Sequence, residues 1–129
     1  AEGPNDYSSE GRRLNANRIQ ELCLMLDKQN INVVCGILSI FEETRKRNRT
    51  IFDNYFEVHL EALSEHLETR RPIYSAAKSG DIKNVVGVDI KFQTPQNADI
   101  KINTSFEKPE VTINKIINKI REKFNLDEL

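Results

Sequence analysis

The sequence predicts an α+β fold, in which three N-terminal helices precede an antiparallel β-hairpin and a C-terminal amphipathic helix. Three observations support this prediction. Apolar residues recur at helical spacing through the first half of the chain, the period changes to two near residue 86, and helical spacing returns after residue 112. The 129 residues, 38% hydrophobic and 30% charged, suffice for one domain with a lean core.

The domain organisation follows from where apolar residues begin. Residues 1–13 combine Gly, Pro, Ser, Asn and charges with almost nothing to bury, so we expect a disordered tail or a tag remnant there. Residues 14–129 then form a single α+β domain. Within it we expect a helical part at 14–78 and a ββα part at 82–129.

The first predicted helix has one apolar face. Ile19, Leu22, Cys23 and Leu26 recur at i, i+3, i+4 and i+7, which is the spacing of one side of a helix. The polar stretch 30–32 then breaks the pattern.

Two further helices are predicted over residues 33–47 and about 50–69. Apolar residues surround much of the second helix: Val33, Val34, Ile37, Leu38, Ile40 and Phe41. An apolar stripe at steps of three and four marks the third: Phe52, Phe56, Leu60, Leu63 and Leu67. The third helix ends before Pro72, since proline disfavours helical backbone at the preceding residue. The pattern leaves open whether 33–69 is one bent helix or two.

The hairpin is predicted from two alternating stretches. The first strand has apolar residues at Val86, Val88, Ile90 and Phe92, and the second has them at Ile100, Ile102 and Phe106. Turn residues at 94–97 separate the two strands, so we expect antiparallel pairing with one solvated face. The C-terminal helix opens at Thr112 and carries an isoleucine-rich stripe: Ile113, Ile116, Ile117, Ile120 and Phe124.

No catalytic, cofactor or metal site is apparent in the sequence. His59 and His66 are seven residues apart, which is too far along a helix for one metal ion. Cys23 lies in an apolar stripe, where burial raises the pKa of a thiol and makes it inert. The five glycines at 3, 11, 36, 80 and 87 form no phosphate-binding loop. We therefore expect a protein that is not an enzyme.

The net charge of −1 provides no overall attraction to nucleic acid or to an anionic membrane. No apolar run approaches the roughly 20 residues of a membrane span, and the acidic first residues lack the apolar core of a signal peptide. Cys23 and Cys35 both have apolar neighbours and are interpreted as buried thiols. We expect an intracellular, reducing location, either cytoplasm or nucleus.

A basic cluster follows the second predicted helix: Arg45, Lys46, Arg47 and Arg49. It complements the negative end of that helix, and an acidic partner or a nucleic acid are its functional alternatives. Helices followed by a two-stranded wing are analogous to a winged-helix module, although the expected wing tip lacks basic residues. A hairpin followed by a helix is also analogous to the first half of a ubiquitin-like β-grasp fold. Fold-level analogy does not establish function.

The predicted function is a non-catalytic protein-interaction or assembly module, acting as a homodimer or as a subunit of a larger complex. A two-stranded hairpin exposes its edges, and the second predicted helix is apolar on more sides than one neighbour covers. The alternative is a winged-helix-like nucleic-acid-binding domain that uses the cluster at 45–49. The candidate partner-binding residues are Arg45, Lys46, Arg47, Arg49, Val33, Ile37 and Ile40.

Overall fold

The computed structural model of the protein describes residues 7–63 and 92–127, which contain three helices and two strands. These are α1 (Ser9–Asp27), α2 (Glu42–Ile51), β1 (Val58–Glu61), β2 (Ile100–Asn103) and α3 (Pro109–Phe124). The chain divides into two compact units. The first unit contains α1 and α2, and the second contains both strands and α3.

Helix α1 confirms the first predicted helix and begins earlier than expected. The Ser8 hydroxyl accepts a hydrogen bond from the backbone N–H of Gly11 at 3.1 Å and so caps the helix. The helix therefore begins inside segment 1–13, for which disorder was expected. Asn30 in the left-handed region (φ 59°) ends it, with the Ile31 N–H donating to the Leu26 carbonyl at 3.1 Å.

Residues 31–41, which we call the return segment, contain no helix, turn or bend. Phe41 at the end of the segment has extended backbone, with φ −102° and ψ 122°. The predicted helix over 33–47 is therefore wrong over 33–41, and only residues 42–47 of it are helical. The almost continuous apolar run satisfies helical spacing and strand alternation at once, and its valines and isoleucines favour extended backbone.

Helix α2 begins only at Glu42 and ends at Ile51. Acidic residues in its first turn and Arg49 in its last turn complement the helix dipole. The predicted third helix is wrong over the described part of its range, because β1 occupies Val58–Glu61, and residues 64–69 lie outside the described residues. The apolar stripe did not distinguish a helix from a strand, because steps of four residues also place side chains on one face of a strand.

The core of the first unit is small. Ile40 and Phe41 are 2% and 6% exposed, and Ala16 of α1 and Phe92 pack against them. The Gln93 N–H donates to the Ile40 carbonyl at 3.3 Å, which holds residues 92–93 beside the end of the return segment. Of the strand predicted at 86–92, only Phe92 lies within the described residues.

The two strands of the second unit pair in parallel. Val58 lies opposite Ile100, and Glu61 lies opposite Asn103. A tight turn cannot connect parallel strands, so the predicted antiparallel hairpin is wrong, and the fold is α/β rather than α+β. Strand β2 lies where the second strand was expected, but alternation specifies which face is buried and not which strand is the neighbour.

Helix α3 confirms the predicted C-terminal helix. Pro109 occupies its first turn, and Asn125 ends it in the left-handed region, with φ 53°. The Phe124 ring lies 6.5 Å from the Phe56 ring, next to the start of β1. This contact holds the end of α3 against the segment that enters the sheet.

Candidate functional site

One member of the basic cluster lies in the interior of the first unit. Arg45 is only 5% exposed. Its guanidinium donates to the backbone carbonyl of Ser39 at 2.6 Å and to that of Gln93. Arg45 therefore connects the return segment to residue 93, and its guanidinium is not presented to solvent.

Arg47 connects α2 to α1. Its guanidinium donates to the side-chain oxygen of Gln20 and contacts one Glu21 carboxylate oxygen at 3.1 Å through both terminal nitrogens. Gln20 is 4% exposed and donates to the Thr44 carbonyl at 3.1 Å and to the Asn48 side chain at 2.6 Å. This network fixes the packing of the two helices.

The other two cations of the cluster lie at the surface. Lys46 is 3.4 Å from the Glu42 carboxylate one turn away, and Arg49 is exposed. Surface pairs of this kind contribute little to stability.

The apolar residues among the candidate partner-binding residues differ in burial. Val33 and Ile37 are 41% and 46% exposed on the return segment, whereas Ile40 is enclosed in the core. The structure thus brings Ile40 and Arg45 together inside the first unit and leaves Val33 and Ile37 at the surface. Partner binding by the predicted set stays a prediction.

The candidate metal and thiol groups of the sequence were two histidines and two cysteines, His59, His66, Cys23 and Cys35. His59 is on β1 and 7% exposed, and His66 lies outside the described residues. Within 7–63 and 92–127, no three His, Cys, Asp or Glu side chains are grouped to hold a metal ion. Cys23 and Cys35 are free thiols, but the expectation that both are buried is not met, because Cys35 is exposed.

The Cys23 thiol of α1 interacts with the Cys35 thiol of the return segment. Partial burial raises the pKa of the Cys35 thiol, and the neighbouring Cys23 thiol, which hydrogen-bonds to it, raises that pKa further. A raised pKa leaves less of the reactive thiolate at neutral pH.

We expect Cys23→Ala to lower the pKa of Cys35 only in part, because the effect of burial remains. Cys35 should then react severalfold faster with iodoacetamide between about pH 7 and 9, since the thiolate is the nucleophile. Peptide mass spectrometry measures the rate of alkylation at Cys35. In the Cys35→Ala variant the same measurement gives the rate at Cys23 alone. An unchanged rate at Cys35 in the Cys23→Ala variant would contradict the interaction.

An aromatic ring and two guanidinium groups gather at the start of α1. Tyr7 is 58% exposed, and the Arg12 guanidinium lies 5.4 Å from its ring centroid while Arg12 Nε donates to the Tyr7 carbonyl at 2.9 Å. The Arg13 guanidinium lies 4.1 Å from the Phe41 ring centroid and pairs with Glu43. We call Tyr7, Ser8, Arg12 and Arg13 the α1 site.

The chemistry of the α1 site suits a nucleotide with an anionic group. The N-terminus of a helix carries partial positive charge and attracts anions. A guanidinium matches the geometry of phosphate oxygens, and an exposed aromatic ring can stack on a base. Here Arg12 and Tyr7 provide both groups side by side.

Sequence reasoning missed the α1 site because it assigned residues 1–13 to a disordered tail. A signal was present. Ser8 is a favoured capping residue, and Arg12, Arg13 and Leu14 all have high helix propensity. These residues bury little surface, so they form no apolar stripe that would predict a helix.

In the described ranges, no helix is long and apolar enough to cross a membrane.

Comparison with known proteins gives a consistent assignment. A family model described as adenylylsulphate kinase matches residues 5–103. The adenylyl-sulfate kinase of Thermodesulfovibrio yellowstonii is 31% identical over 124 residues, which are 93% of this chain and 62% of that protein. That of Halothermothrix orenii is 29% identical over 126 residues, 95% of this chain and 68% of that protein.

Two further similarities are to a solved structure and to a longer enzyme. The solved structure of the Mycobacterium tuberculosis APS kinase CysC in complex with AMPPNP and APS superimposes with a TM-score of 0.78 at 22% identity, covering 90% of this chain and 70% of that one. This similarity shows the P-loop α/β fold with a parallel sheet. A sulfate adenylyltransferase of Phaeosphaeria nodorum is 29% identical over 116 residues, 86% of this chain but 20% of that protein.

The chain spans about 62% of the Thermodesulfovibrio yellowstonii kinase that it matches.

The predicted function is wrong in three respects. The relatives are catalytic kinases, so the predictions of a non-enzyme and of a non-catalytic scaffold or interaction module are overturned. The winged-helix alternative is overturned as well, because the described strands pair in parallel and form no wing. The match of the family model to residues 5–103, more than half of the sequence, decides the assignment. This chain belongs to the adenylyl-sulfate kinase family.

Proposed function

We propose that this chain forms the acceptor-binding part of an adenylyl-sulfate kinase, an enzyme that transfers a phosphoryl group from ATP to adenylyl sulfate. The observation that carries the proposal is the Arg12 guanidinium beside the exposed Tyr7 ring at the start of α1. Adenylyl sulfate has an adenine ring and a phosphosulfate anion, which these two groups complement.

Three side chains of the α1 site have a role in this proposal. Tyr7 stacks on the adenine ring, and Arg12 neutralises the phosphosulfate group together with the N-terminus of α1. Arg13 is held by Phe41 and Glu43 and positions the first turn of the helix. Catalysis of phosphoryl transfer depends mainly on positioning and on electrostatic stabilisation, which such groups supply.

Acceptor binding, and not ATP binding, is the role assigned to these residues. The motif G-x-x-x-x-G-K-[ST], which binds nucleotide phosphates in P-loop enzymes, does not occur in the 129 residues.

We expect Arg12→Gln to weaken the binding of adenylyl sulfate by roughly 10- to 100-fold, because a hydrogen bond to a charged group contributes about 1.5–3 kcal/mol. Isothermal titration calorimetry on the chain measures the dissociation constant. Adenosine monophosphate, which lacks the sulfate, should bind more weakly than adenylyl sulfate and should depend less on Arg12.

The matched control is Arg18→Gln, on the same helix but further from its N-terminus and exposed to solvent. This variant should bind adenylyl sulfate like the wild type. Circular dichroism checks that each variant retains its helices. A folded wild-type chain that binds neither nucleotide, or an Arg12 variant that binds as tightly as the wild type, overturns the proposal.

We also propose a cytoplasmic, reducing location. Both described cysteines are free thiols, which is consistent with such a compartment. The kinase relatives are bacterial proteins, and bacteria have no nucleus, so a nuclear location has no support.

A further inference from the structure

The Cys23 and Cys35 thiols meet between α1 and the return segment. Cys23 is half-buried on α1, Cys35 is exposed on the return segment, and the two thiols are hydrogen-bonded to each other. The sequence contains no other cysteine. Neither thiol belongs to the α1 site, so the chemistry of the pair is separate from the proposed function.

The path of the return segment holds the two thiols together from both ends. At its start, the Ile31 N–H donates to the Leu26 carbonyl at 3.1 Å, near the end of α1. At its other end, Ala16 of α1 packs against the core residue Ile40. One thiol lies between these two contacts on the helix, and the other lies between them on the return segment. Their proximity therefore follows from the backbone on either side of each cysteine.

The alternation of side chains along the return segment directs Cys35 toward α1. Alternate residues of an extended chain point to opposite sides. Val34 and Leu38 are 100% and 58% exposed, so their face is turned away from the helix. A Cβ atom at Gly36, on that same face, would meet no atom of the described residues within 4 Å. Cys35 belongs to the opposite face, which agrees with its hydrogen bond to Cys23.

We propose that Cys23 and Cys35 are a redox-sensitive modification site, at which a low-molecular-weight disulfide such as glutathione disulfide forms a reversible bond between the two sulfur atoms. A disulfide requires sulfur atoms about 2.05 Å apart, and thiols that already share a hydrogen bond reach this distance by small side-chain rotations. Groups held in contact react as if highly concentrated. In a reducing compartment, disulfides of this kind are transient and respond to oxidants.

The reaction is thiol–disulfide exchange in two steps, and it starts at the exposed Cys35. The Cys35 thiolate attacks one sulfur atom of glutathione disulfide and releases one glutathione, which takes up the proton that Cys35 lost. The Cys23 thiolate then attacks the Cys35 sulfur and releases the second glutathione with the second proton. The two cysteines lose two electrons, and one glutathione disulfide is reduced to two glutathione molecules.

Mass spectrometry tests the bond directly. The chain is incubated with excess glutathione disulfide, and the remaining thiols are blocked with iodoacetamide before peptide mapping. Most molecules should contain one bond that joins Cys23 to Cys35 within the same chain. Two free thiols, glutathione on both cysteines, or bonds only between separate chains would each overturn the proposal.

Two variants separate the steps of the exchange. Cys23→Ala should stop after the first step and retain one glutathione on Cys35, because the second thiol is missing. The matched control combines Cys35→Ser with Val34→Cys, which moves the thiol by one residue to the face turned away from α1. This variant should also retain glutathione instead of closing the bond. Closure as complete as in the wild type would show that contact between the thiols is not required, and would overturn the proposal.

The melting temperature and the reversal of the bond complete the test. The oxidised chain should melt roughly 5 °C or more above the reduced chain, because the bond restricts the unfolded state without distorting the folded one. Millimolar reduced glutathione should reopen the bond, as expected for a partly exposed disulfide. A lower melting temperature after oxidation, or a bond that glutathione does not reduce, overturns the proposal. These measurements use no nucleotide, so their outcome is independent of the proposed function.

Discussion

Replacing Arg45 with alanine should lower the free energy of unfolding by about 3 kcal/mol, because two charge-assisted hydrogen bonds are lost and two carbonyl groups remain without that donor. The Arg45 guanidinium is 5% exposed and binds the carbonyl oxygens of Ser39 and Gln93, which are distant in sequence. Urea denaturation followed by circular dichroism measures the loss.

Arg45→Lys separates charge from geometry. Lysine keeps the charge, but its single ammonium lacks the planar fork that reaches both carbonyls, so we expect most of the loss to remain. Arg49→Ala, an exposed position on the same helix, should change stability by less than about 0.5 kcal/mol. Full stability in the lysine variant would mean that the charge alone is sufficient.

Arg45 also illustrates a limit of sequence interpretation. Four cations within five residues predict a solvated helix end, and Arg49 in the last turn of α2 agrees with that expectation. Nothing in the sequence distinguishes Arg45 from its neighbours, because its partners are backbone carbonyls, which every residue carries. Burial of one cation among the four is decided by the path of residues 39 and 93.

The helices that were predicted correctly each contact another element of their own unit, α1 with α2 and α3 with β2. Helices α1 and α3 have an apolar stripe, and both end at an asparagine in the left-handed region. Periodicity fails for the return segment because both of its faces are apolar. When both faces of a segment are apolar, its sequence pattern fits a helix and a strand equally well. The elements that pack against it then determine which one forms.

The pairing of the strands also depends on residues distant in the chain. Val58 pairs with Ile100 across more than 40 positions, and no local signal at either strand encodes this partner. Two alternating stretches separated by turn residues favour an antiparallel hairpin, because a hairpin is the simplest connection between them. Parallel pairing requires a long crossover, which the sequence interpretation had divided among other elements.

The enzymatic assignment was missed for a related reason. Catalytic motifs are glycine-rich loops and triads, whereas the α1 site consists of a tyrosine, a serine and two arginines, and their positions depend on a helix that starts at Ser9. Among the described residues, Val34 and Leu38 do expose apolar side chains, at 100% and 58%. The interpretation of this exposure as evidence for a scaffold was the error.

In the second unit, Asp99→Ala should lower the free energy of unfolding by about 2 kcal/mol. The Asp99 carboxylate accepts a hydrogen bond from the Glu57 backbone N–H at 2.7 Å and another from Lys123 Nζ at 2.8 Å. Glu57 precedes β1 and Asp99 precedes β2, so this one carboxylate connects the beginnings of both strands to α3. Its side chain is 16% exposed, which limits screening by solvent.

Asp99→Asn distinguishes the two contacts. The amide oxygen of asparagine can still accept from the Glu57 N–H, but the charge that pairs with Lys123 is lost, so we expect about half of the effect. Lys123 also donates to the Tyr55 carbonyl at 2.7 Å and lies over the Phe56 and Phe124 rings, and these contacts should survive in both variants.

The control is Lys101→Ala, which removes a surface pair in which Lys101 lies 3.5 Å from Glu61, and it should change the free energy of unfolding by almost nothing. An asparagine variant as unstable as the alanine variant would assign the whole effect to the ion pair, and the parallel strands would then depend on α3 for their alignment.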